Sequence, residues 1–147
     1  MLTFRPLTTS VDDLAAANLL LQSAFQADSN WEHSLRRYIG FQPDGWIVAE
    51  ENGQPVAMVG AVEYGTYAYI GMMAVHESQQ RRGIGMQVME QILAHLDRKG
   101  CPIVLLDATK SGAGSRNKLG FTKRESAPSS ITAPLRHPRR LINRITS

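Results

Sequence analysis

The amino-acid sequence predicts an α/β fold, in which an antiparallel meander leads into a parallel strand pair flanked by helices. Two apolar runs flank the dipeptide Asn52-Gly53, which suits the positive φ angles of a tight hairpin turn. From Gly83 onward, apolar residues recur at helical spacing. A short, wholly apolar run at residues 103–106 follows that helix, as is typical of a strand buried on both faces.

The first part of the chain predicts one strand and two helices. Residues 2–5 are predicted to form a short first strand that a proline ends. Ser10 precedes two aspartates, and this order is a helix start signal because acids in the first turn are favoured by the helix dipole. Apolar residues then recur at helical spacing over residues 14–25 and again over residues 31–41.

The middle of the chain predicts three strands and a long helix. Residues 46–49, 56–59 and 67–75 are apolar runs joined by short connections, which indicates an antiparallel meander. In the helix that follows, Gly100 supplies a left-handed cap and the next proline prevents continuation. The apolar stripe of this helix consists of Ile84, Val88, Ile92 and Leu96.

The amino-acid composition limits the classes of protein to which the chain can belong. The chain has 147 residues, 43% apolar and 20% charged, which is enough for one globular domain. A single cysteine, Cys101, excludes an internal disulfide, and the four histidines lack metal-ligand spacing, so no metal site is expected. No apolar run is long enough for a membrane span and the N-terminus lacks a secretory signal pattern, so we expect a cytoplasmic protein.

The charge is unevenly distributed. Of the net charge of +3, residues 123–147 carry +5, because they hold six Lys/Arg and one acid, and the first 122 residues carry −2. We therefore predict a domain at 1–135 and a basic C-terminal tail at 136–147. Such a tail can hold nucleic acid or acidic lipid electrostatically, although most basic tails are simply solvated.

The loop from Val75 to Gly85 has the properties of an anion cradle. The first N–H groups of the following helix have no intrahelical partner and carry partial positive charge. Gly83 and Gly85 let the backbone approach a ligand closely. Arg81 and Arg82 add mobile positive charge at the rim, so a pyrophosphate is the expected ligand of the loop.

Two familiar pyrophosphate motifs do not fit this loop. A Rossmann site needs a third glycine where Val88 stands, and the Gly-Lys-Ser/Thr of a P-loop occurs nowhere in the chain. The pattern Gln/Arg-x-x-Gly-x-Gly/Ala is matched by Gln80, Gly83 and Gly85, between a strand and a long helix, with Leu119-Gly120-Phe121 further on. Residues 2–121 therefore resemble the GNAT superfamily of acetyltransferases. The alternative is a plain strand-to-helix turn.

The resemblance implies a GNAT-like mixed sheet, acetyl-CoA as co-substrate and direct attack of an amine on the thioester. Pantetheine would lie along the end of the third meander strand like an added strand. Catalysis would rest on positioning and on a backbone N–H that polarises the thioester carbonyl. The residues that the resemblance assigns to the co-substrate are Met73, Ala74, Val75, Gln80, Arg81, Arg82, Gly83, Ile84 and Gly85.

Two positions depart from the family pattern. Where several members carry a glutamate base, this chain has Tyr69, and where many carry a tyrosine acid, it has Arg116. Asp107 ends the buried strand near the expected reaction centre and is the remaining carboxylate candidate. Tyr69 and Asp107 are therefore the candidate catalytic residues. The alternatives are a sheet residue for Tyr69 and a turn aspartate for Asp107.

The sequence thus favours an acetyl-CoA-dependent N-acetyltransferase that acts on a small-molecule or protein amine. A GNAT-like CoA-binding protein with weakened chemistry is the first alternative, because of Tyr69 and Arg116. A nucleic-acid-binding protein that uses the basic tail is the second. No membrane partner is expected, and a homodimer is left open.

Overall fold

The computed structural model describes residues 1–108, 123–124, 130–133 and 140–145. The chain divides into two compact units, of which the first comprises Met1–Ala61 and Met72–Leu93 and the second comprises Val62–Gly71 and Ala94–Ser147. The strands and helices follow one another as β1 (Leu2–Pro6), α1 (Val11–Phe25), α2 (Glu32–Phe41), β2 (Trp46–Glu51), β3 (Gln54–Glu63), β4 (Tyr67–Val75), α3 (Ile84–Arg98), β5 (Ile103–Ala108), β6 (Lys123–Arg124), β7 (Ser130–Ala133) and β8 (Arg140–Ile145).

The first unit begins with an antiparallel meander. β1 pairs with β2 from Leu2 opposite Glu51 onward, and β2 pairs with β3 up to Glu51 opposite Gln54. Asn52 has φ +53° and Gly53 has φ +77°, so the predicted two-residue turn with positive φ angles is confirmed. The turn fixes the register of the hairpin and therefore the position of Glu51 at its end.

The start of α1 is fixed by a cluster of polar contacts. Ser10 Oγ accepts the Asp13 N–H at 3.1 Å, which confirms the predicted N-cap. The Asp13 carboxylate is buried and accepts two hydrogen bonds from Arg5, at 2.8 and 3.0 Å. The Thr8 N–H and hydroxyl also donate to it, at 2.8 and 2.7 Å. These bonds, led by the one from Arg5, outweigh burial and lower the pKa of Asp13 to about 2.

Apolar side chains from helices and strands form the core of the first unit. Trp46, at the start of β2, is 4% exposed, and its ring lies against Gly60 on the paired strand β3. A Cβ at Gly60 would lie 2.2 Å from that ring, so only glycine fits there. The largest fully buried side chains of this unit are Leu7, Leu14, Leu21, Leu35, Val48, Met58, Met89 and Ile92.

The second unit contains the parallel pair. β4 pairs with β5 from Tyr67 opposite Ile103 to Ile70 opposite Leu106. Val104 and Leu106, on one face of β5, are buried, whereas Ile103 and Leu105, on the other face, are only partly buried. The predicted burial on both faces is therefore complete for one face only. The α/β fold, with antiparallel strands and a parallel β4–β5 pair in a mixed sheet with helices, is therefore confirmed in the described part of the chain.

Part of the basic C-terminal segment forms a strand. β8 (Arg140–Ile145) pairs in parallel with β5 and antiparallel with β7, so its backbone is part of a sheet. The boundary between a domain at 1–135 and a basic tail at 136–147 stays a prediction, and residues 140–145 of that tail pair as a strand. The physical reason is that a strand requires only β-compatible residues and an open partner edge, and two isoleucines within six residues supply the first.

Helix α3 matches its predicted pattern. The stripe residues Ile84, Val88, Ile92 and Leu96 are all at most 4% exposed. Gly100 has φ +72°, which confirms the left-handed position after the helix. No helix in the described ranges is long and apolar enough to cross a membrane.

Candidate functional site

A short turn of 3-10 helix, Glu77–Gln79, begins the segment that joins β4 to α3. His76 precedes it and caps it, because His76 Nδ1 accepts the Ser78 N–H at 3.2 Å. The same Nδ1 lies 2.8 Å from Ser78 Oγ. His76 thus has a structural role here.

Other elements of the first unit brace this segment. The His76 N–H donates to the Val56 carbonyl of β3 at 2.9 Å, and the Glu77 N–H donates to Ser23 Oγ of α1 at 3.1 Å. Gln80 Nε2 donates to the Val75 carbonyl at 3.1 Å and so closes the turn onto the end of β4. The side chain of Gln80 therefore shapes the loop.

The backbone just before α3 alternates in the sign of φ. Arg81 has φ +66° and Gly83 has φ +78°, with Arg82 at negative φ between them. Alternating backbone of this kind turns successive N–H groups toward one side, as in anion-binding nests. The Gly83 carbonyl accepts the Gln87 N–H at 3.2 Å, which places Gly83 at the N-cap. We call residues 81–86 the cradle.

Glycine at the N-cap leaves the helix start open. The N–H groups of Ile84, Gly85 and Met86 precede the first intrahelical bond, and Gly83 has no side chain that could accept from them. These donors carry the partial positive charge of the helix N-terminus. The cradle can therefore bind an anion through backbone groups alone.

The two glycines of the motif have different neighbours. A Cβ at Gly83 would have no protein atom within 4 Å apart from its own chain neighbours. A Cβ at Gly85 would lie 3.1 Å from Met73 Cε and 3.5 Å from Val75 Cγ2. Gly85 thus allows α3 to pack closely on the end of β4, whereas the position of a Cβ at Gly83 is open. The approach of a ligand to either glycine stays a prediction.

The two arginines also differ. The Arg82 guanidinium forms a bidentate ion pair with Glu51, at 2.9 and 3.0 Å, and also donates to the Gln79 side-chain oxygen. This pair raises the pKa of Arg82 and lowers the pKa of Glu51. Arg81 is exposed and has no ion-pair partner among the described residues. Mobile positive charge was therefore the wrong description of Arg82, and it fits Arg81.

The end of β4 lies directly before this loop. Ala74 is buried, whereas Met73 and Val75 are partly exposed. Met72 has φ +50°, an unusual value inside a strand, and the ladder with β5 has its last pair at Ile70. The three residues predicted to line pantetheine thus follow an irregularity in the strand, beyond the parallel pairing.

The candidate catalytic residues lie in the second unit. Tyr69 is a partly buried residue of β4 that pairs with Leu105. The backbone of Asp107 lies in β5 and pairs with Arg144 of β8. Arg116 and the segment Leu119-Gly120-Phe121 lie outside the described residues. The structure brings the cradle residues together in one unit, while the roles of Tyr69 and Asp107 stay predictions.

Glu51 and Ser23 were not predicted from the sequence. Each is far along the chain from the loop that it contacts: Glu51 is 31 residues from Arg82, and Ser23 is 54 residues from Glu77. No local pattern marks either residue. A glutamate at the end of a hairpin strand is an ordinary surface residue until the pairing of distant segments is known.

Comparison with known proteins decides the family. The model of the acetyltransferase (GNAT) family matches residues 13–121, which is most of the chain. The chain belongs to the GNAT family. No curated protein matches it.

Solved structures of other proteins share the fold of this GNAT chain. A candidate acetyltransferase from Pyrococcus horikoshii is 28% identical, with a TM-score of 0.77 over 84% of this chain and 44% of its own. The ribosomal-protein-S18-alanine N-acetyltransferase of Escherichia coli is 23% identical, with a TM-score of 0.73 over 84% of this chain and 79% of its own. The GNAT chain thus spans less than half the length of the first of these proteins.

A third structure includes a relevant ligand. A Clostridium acetobutylicum protein, described as a predicted acetyltransferase with acetyl-CoA, is 17% identical to this GNAT chain. Its TM-score is 0.69 over 85% of this chain and 92% of its own. At this identity the likeness concerns the fold.

Proposed function

We propose that this GNAT chain is an N-acetyltransferase that moves an acetyl group from acetyl-CoA to a primary amine. The observation that carries the proposal is the glycine-capped start of α3. Three N–H groups there have no intrahelical acceptor, and the exposed Arg81 belongs to the same turn. Because Gly83 has open space where a Cβ would stand, a pyrophosphate can reach the backbone donors.

Each part of the first unit has a distinct task in co-substrate binding. The N–H groups of Ile84, Gly85 and Met86 donate to phosphate oxygens, and Arg81 adds a charge-assisted hydrogen bond. Gln80 holds the loop in shape through the Val75 carbonyl. The backbone from Met73 to Val75 contacts the pantetheine arm like an added strand.

The second unit supplies the candidates for proton transfer. Bound acetyl-CoA provides the acetyl thioester, and the chain contributes position, a polarising N–H and an acceptor for the amine proton. Tyr69 and Asp107 are the proposed participants, directly or through water. The acceptor is a small molecule or a protein amine.

Calorimetric titration with acetyl-CoA, CoA and ATP tests the proposal first. ATP presents phosphates without a pantetheine arm, so it separates a general anion cradle from a CoA site. We expect acetyl-CoA and CoA to bind more tightly than ATP. Thiol release over a panel of amines then tests transfer. A folded protein that binds neither acetyl-CoA nor CoA would exclude the proposed function.

The departures at Tyr69 and Arg116 favour one alternative, a GNAT protein that binds CoA with weakened chemistry. General acid–base groups contribute about 100- to 10,000-fold, so the absence of the usual groups slows transfer without removing it. We expect Arg116→Tyr to raise kcat and leave acetyl-CoA affinity unchanged. If instead this variant binds acetyl-CoA more weakly at unchanged kcat, Arg116 contacts a phosphate.

A further inference from the structure

Glu51 occupies a rigid position at the edge of the first unit. It is the last residue of β2, and the turn after it has positive φ angles at both Asn52 and Gly53. Glu51 also pairs with two strands at once, opposite Leu2 of β1 and opposite Gln54 of β3. Its backbone therefore has little freedom, and its carboxylate is presented from a fixed point.

The ion pair between Glu51 and Arg82 is well suited to fix a loop. Arg82 Nη1 donates to Glu51 Oε2 at 2.9 Å, and Arg82 Nη2 donates to Glu51 Oε1 at 3.0 Å. Two parallel hydrogen bonds set orientation as well as distance, unlike a single contact. The same guanidinium donates to Gln79, so one side chain joins the β2–β3 turn, the 3-10 turn and the cradle.

The cradle needs such support. Arg81 has φ +66°, in the left-handed region that residues with a Cβ adopt only at a cost. A strained residue persists when its surroundings hold it in place. Arg82 is the next residue, and its side chain is tied to the end of β2 by the ion pair with Glu51.

We infer that Glu51 is a positioning residue of the co-substrate site, which holds the cradle in its binding conformation through Arg82. Arg82 then contacts Glu51 and Gln79 of the protein itself, and Arg81 is the arginine that contacts phosphate. The binding part of this inference rests on the proposed function. The bracing part concerns the protein alone and can be tested without any ligand.

Limited trypsin digestion tests the bracing. Trypsin cleaves after Arg81 and Arg82, and cleavage in a folded protein requires local opening of the loop. In Glu51→Gln we expect cleavage at these two bonds to be about two- to fivefold faster, the range for an exposed ion pair. Mass spectrometry locates the cuts, and circular dichroism checks that the variant is folded. Unchanged cleavage at these bonds would overturn the inference.

A double-mutant cycle tests the effect on binding. Glu51→Gln and Arg82→Gln should each weaken acetyl-CoA binding about two- to fivefold, and the double variant should be no weaker than either single variant. In steady-state assays the KM for acetyl-CoA should rise at unchanged kcat. The exchanged pair, Glu51→Arg with Arg82→Glu, should recover part of the loss.

A matched ion pair serves as control. Glu63 and Lys99 contact at 3.0 Å with side-chain exposures of 21% and 37%, close to the 23% and 50% of Glu51 and Arg82. Glu63→Gln should leave trypsin cleavage at the cradle and acetyl-CoA affinity unchanged. If Arg82→Gln weakens binding while Glu51→Gln leaves it unchanged or tightens it, Arg82 contacts the ligand and the inference is wrong. If the wild-type protein binds no acetyl-CoA, the proposed function fails, and trypsin digestion still decides the bracing.

Discussion

The cradle at the start of α3 and the strand positions of Tyr69 and Asp107 hold different kinds of chemical group. In the cradle the donors are backbone N–H groups, whose presence depends on helix geometry and on a glycine at the N-cap. At the strand positions the proposed chemistry depends on side chains, and Tyr69 stands where several members of the GNAT family carry a glutamate. Anion binding can thus be retained through the fold while proton transfer changes with single residues.

The largest expected effect follows from blocking the cradle. Gly83→Val places a branched side chain in the open space beside Gly83. It also forces valine into the positive-φ region, which β-branched residues avoid. Loss of two charge-assisted hydrogen bonds weakens binding by about 100-fold or more. We therefore expect calorimetry to detect no acetyl-CoA binding by this variant.

Gly100→Val is the control for this substitution. Gly100 has φ +72°, near the +78° of Gly83, and it too has open space around a Cβ. Both variants should therefore lose similar stability, and only Gly83→Val should lose binding. Equal acetyl-CoA affinity in the two variants would remove the cradle from the site.

The next effect concerns proton transfer in the second unit. Asp107→Asn removes the proposed base, and we expect kcat to fall by about 100-fold with acetyl-CoA affinity unchanged. Tyr69→Phe should lower kcat less than Asp107→Asn if the Tyr69 hydroxyl only assists transfer of the amine proton. Should neither substitution change kcat, both residues are structural, and the amine proton leaves by another route.

A smaller effect separates the two arginines. Arg81→Ala should weaken acetyl-CoA binding by about 1–2 kcal/mol, because a charge-assisted hydrogen bond is lost. Higher ionic strength should reduce the difference from wild type, since Arg81 is exposed. Similar affinity in Arg81→Ala and wild type would show that the backbone donors suffice.

The smallest effect on binding is expected at Asp13, which lies in the first unit but outside the cradle. The pKa of Asp13 is lowered to about 2. The ionised carboxylate therefore contributes fully to the free energy of unfolding above its ordinary pKa, and this contribution is lost as the pH falls through about 2. Asp13→Asn should cost about 2 kcal/mol of unfolding free energy at neutral pH. Urea titrations followed by circular dichroism at pH 7 and pH 3 should show a smaller difference at the lower pH.

The control for Asp13→Asn is ligand binding. Acetyl-CoA affinity at pH 7 should match that of wild type. A loss of affinity in the folded variant would mean that the polar cluster around Asp13 also shapes the cradle.

Local signals explain which features the sequence predicted well. The Ser10 cap, the Asn52-Gly53 turn and the Gly100 position each depend on the backbone preference of a few neighbouring residues. The apolar stripe of α3 likewise depends on residues within about twenty positions of one another. Such features need no knowledge of distant segments.

The features that escaped prediction all depend on distant segments. The pair between Glu51 and Arg82 requires the β2–β3 turn to lie beside the loop, and Gly85 acquires its role from Met73 and Val75 of the neighbouring strand. The pairing of β8 with β5 joins segments separated by more than thirty residues. In each case the residue type alone indicates no special role, and the role follows from a contact with a distant segment.

The buried position of Trp46 against Gly60 has a spectroscopic consequence. The chain contains two tryptophans, Trp31 and Trp46, and both belong to the first unit. Intrinsic tryptophan fluorescence therefore reports on that unit alone, and the indole of Trp46, at 4% exposure, should emit at short wavelength until water reaches it. In a Trp31→Phe variant, Trp46 would be the single tryptophan, and its emission would report the opening of the first unit. The β-rich second unit would contribute nothing to the tryptophan emission.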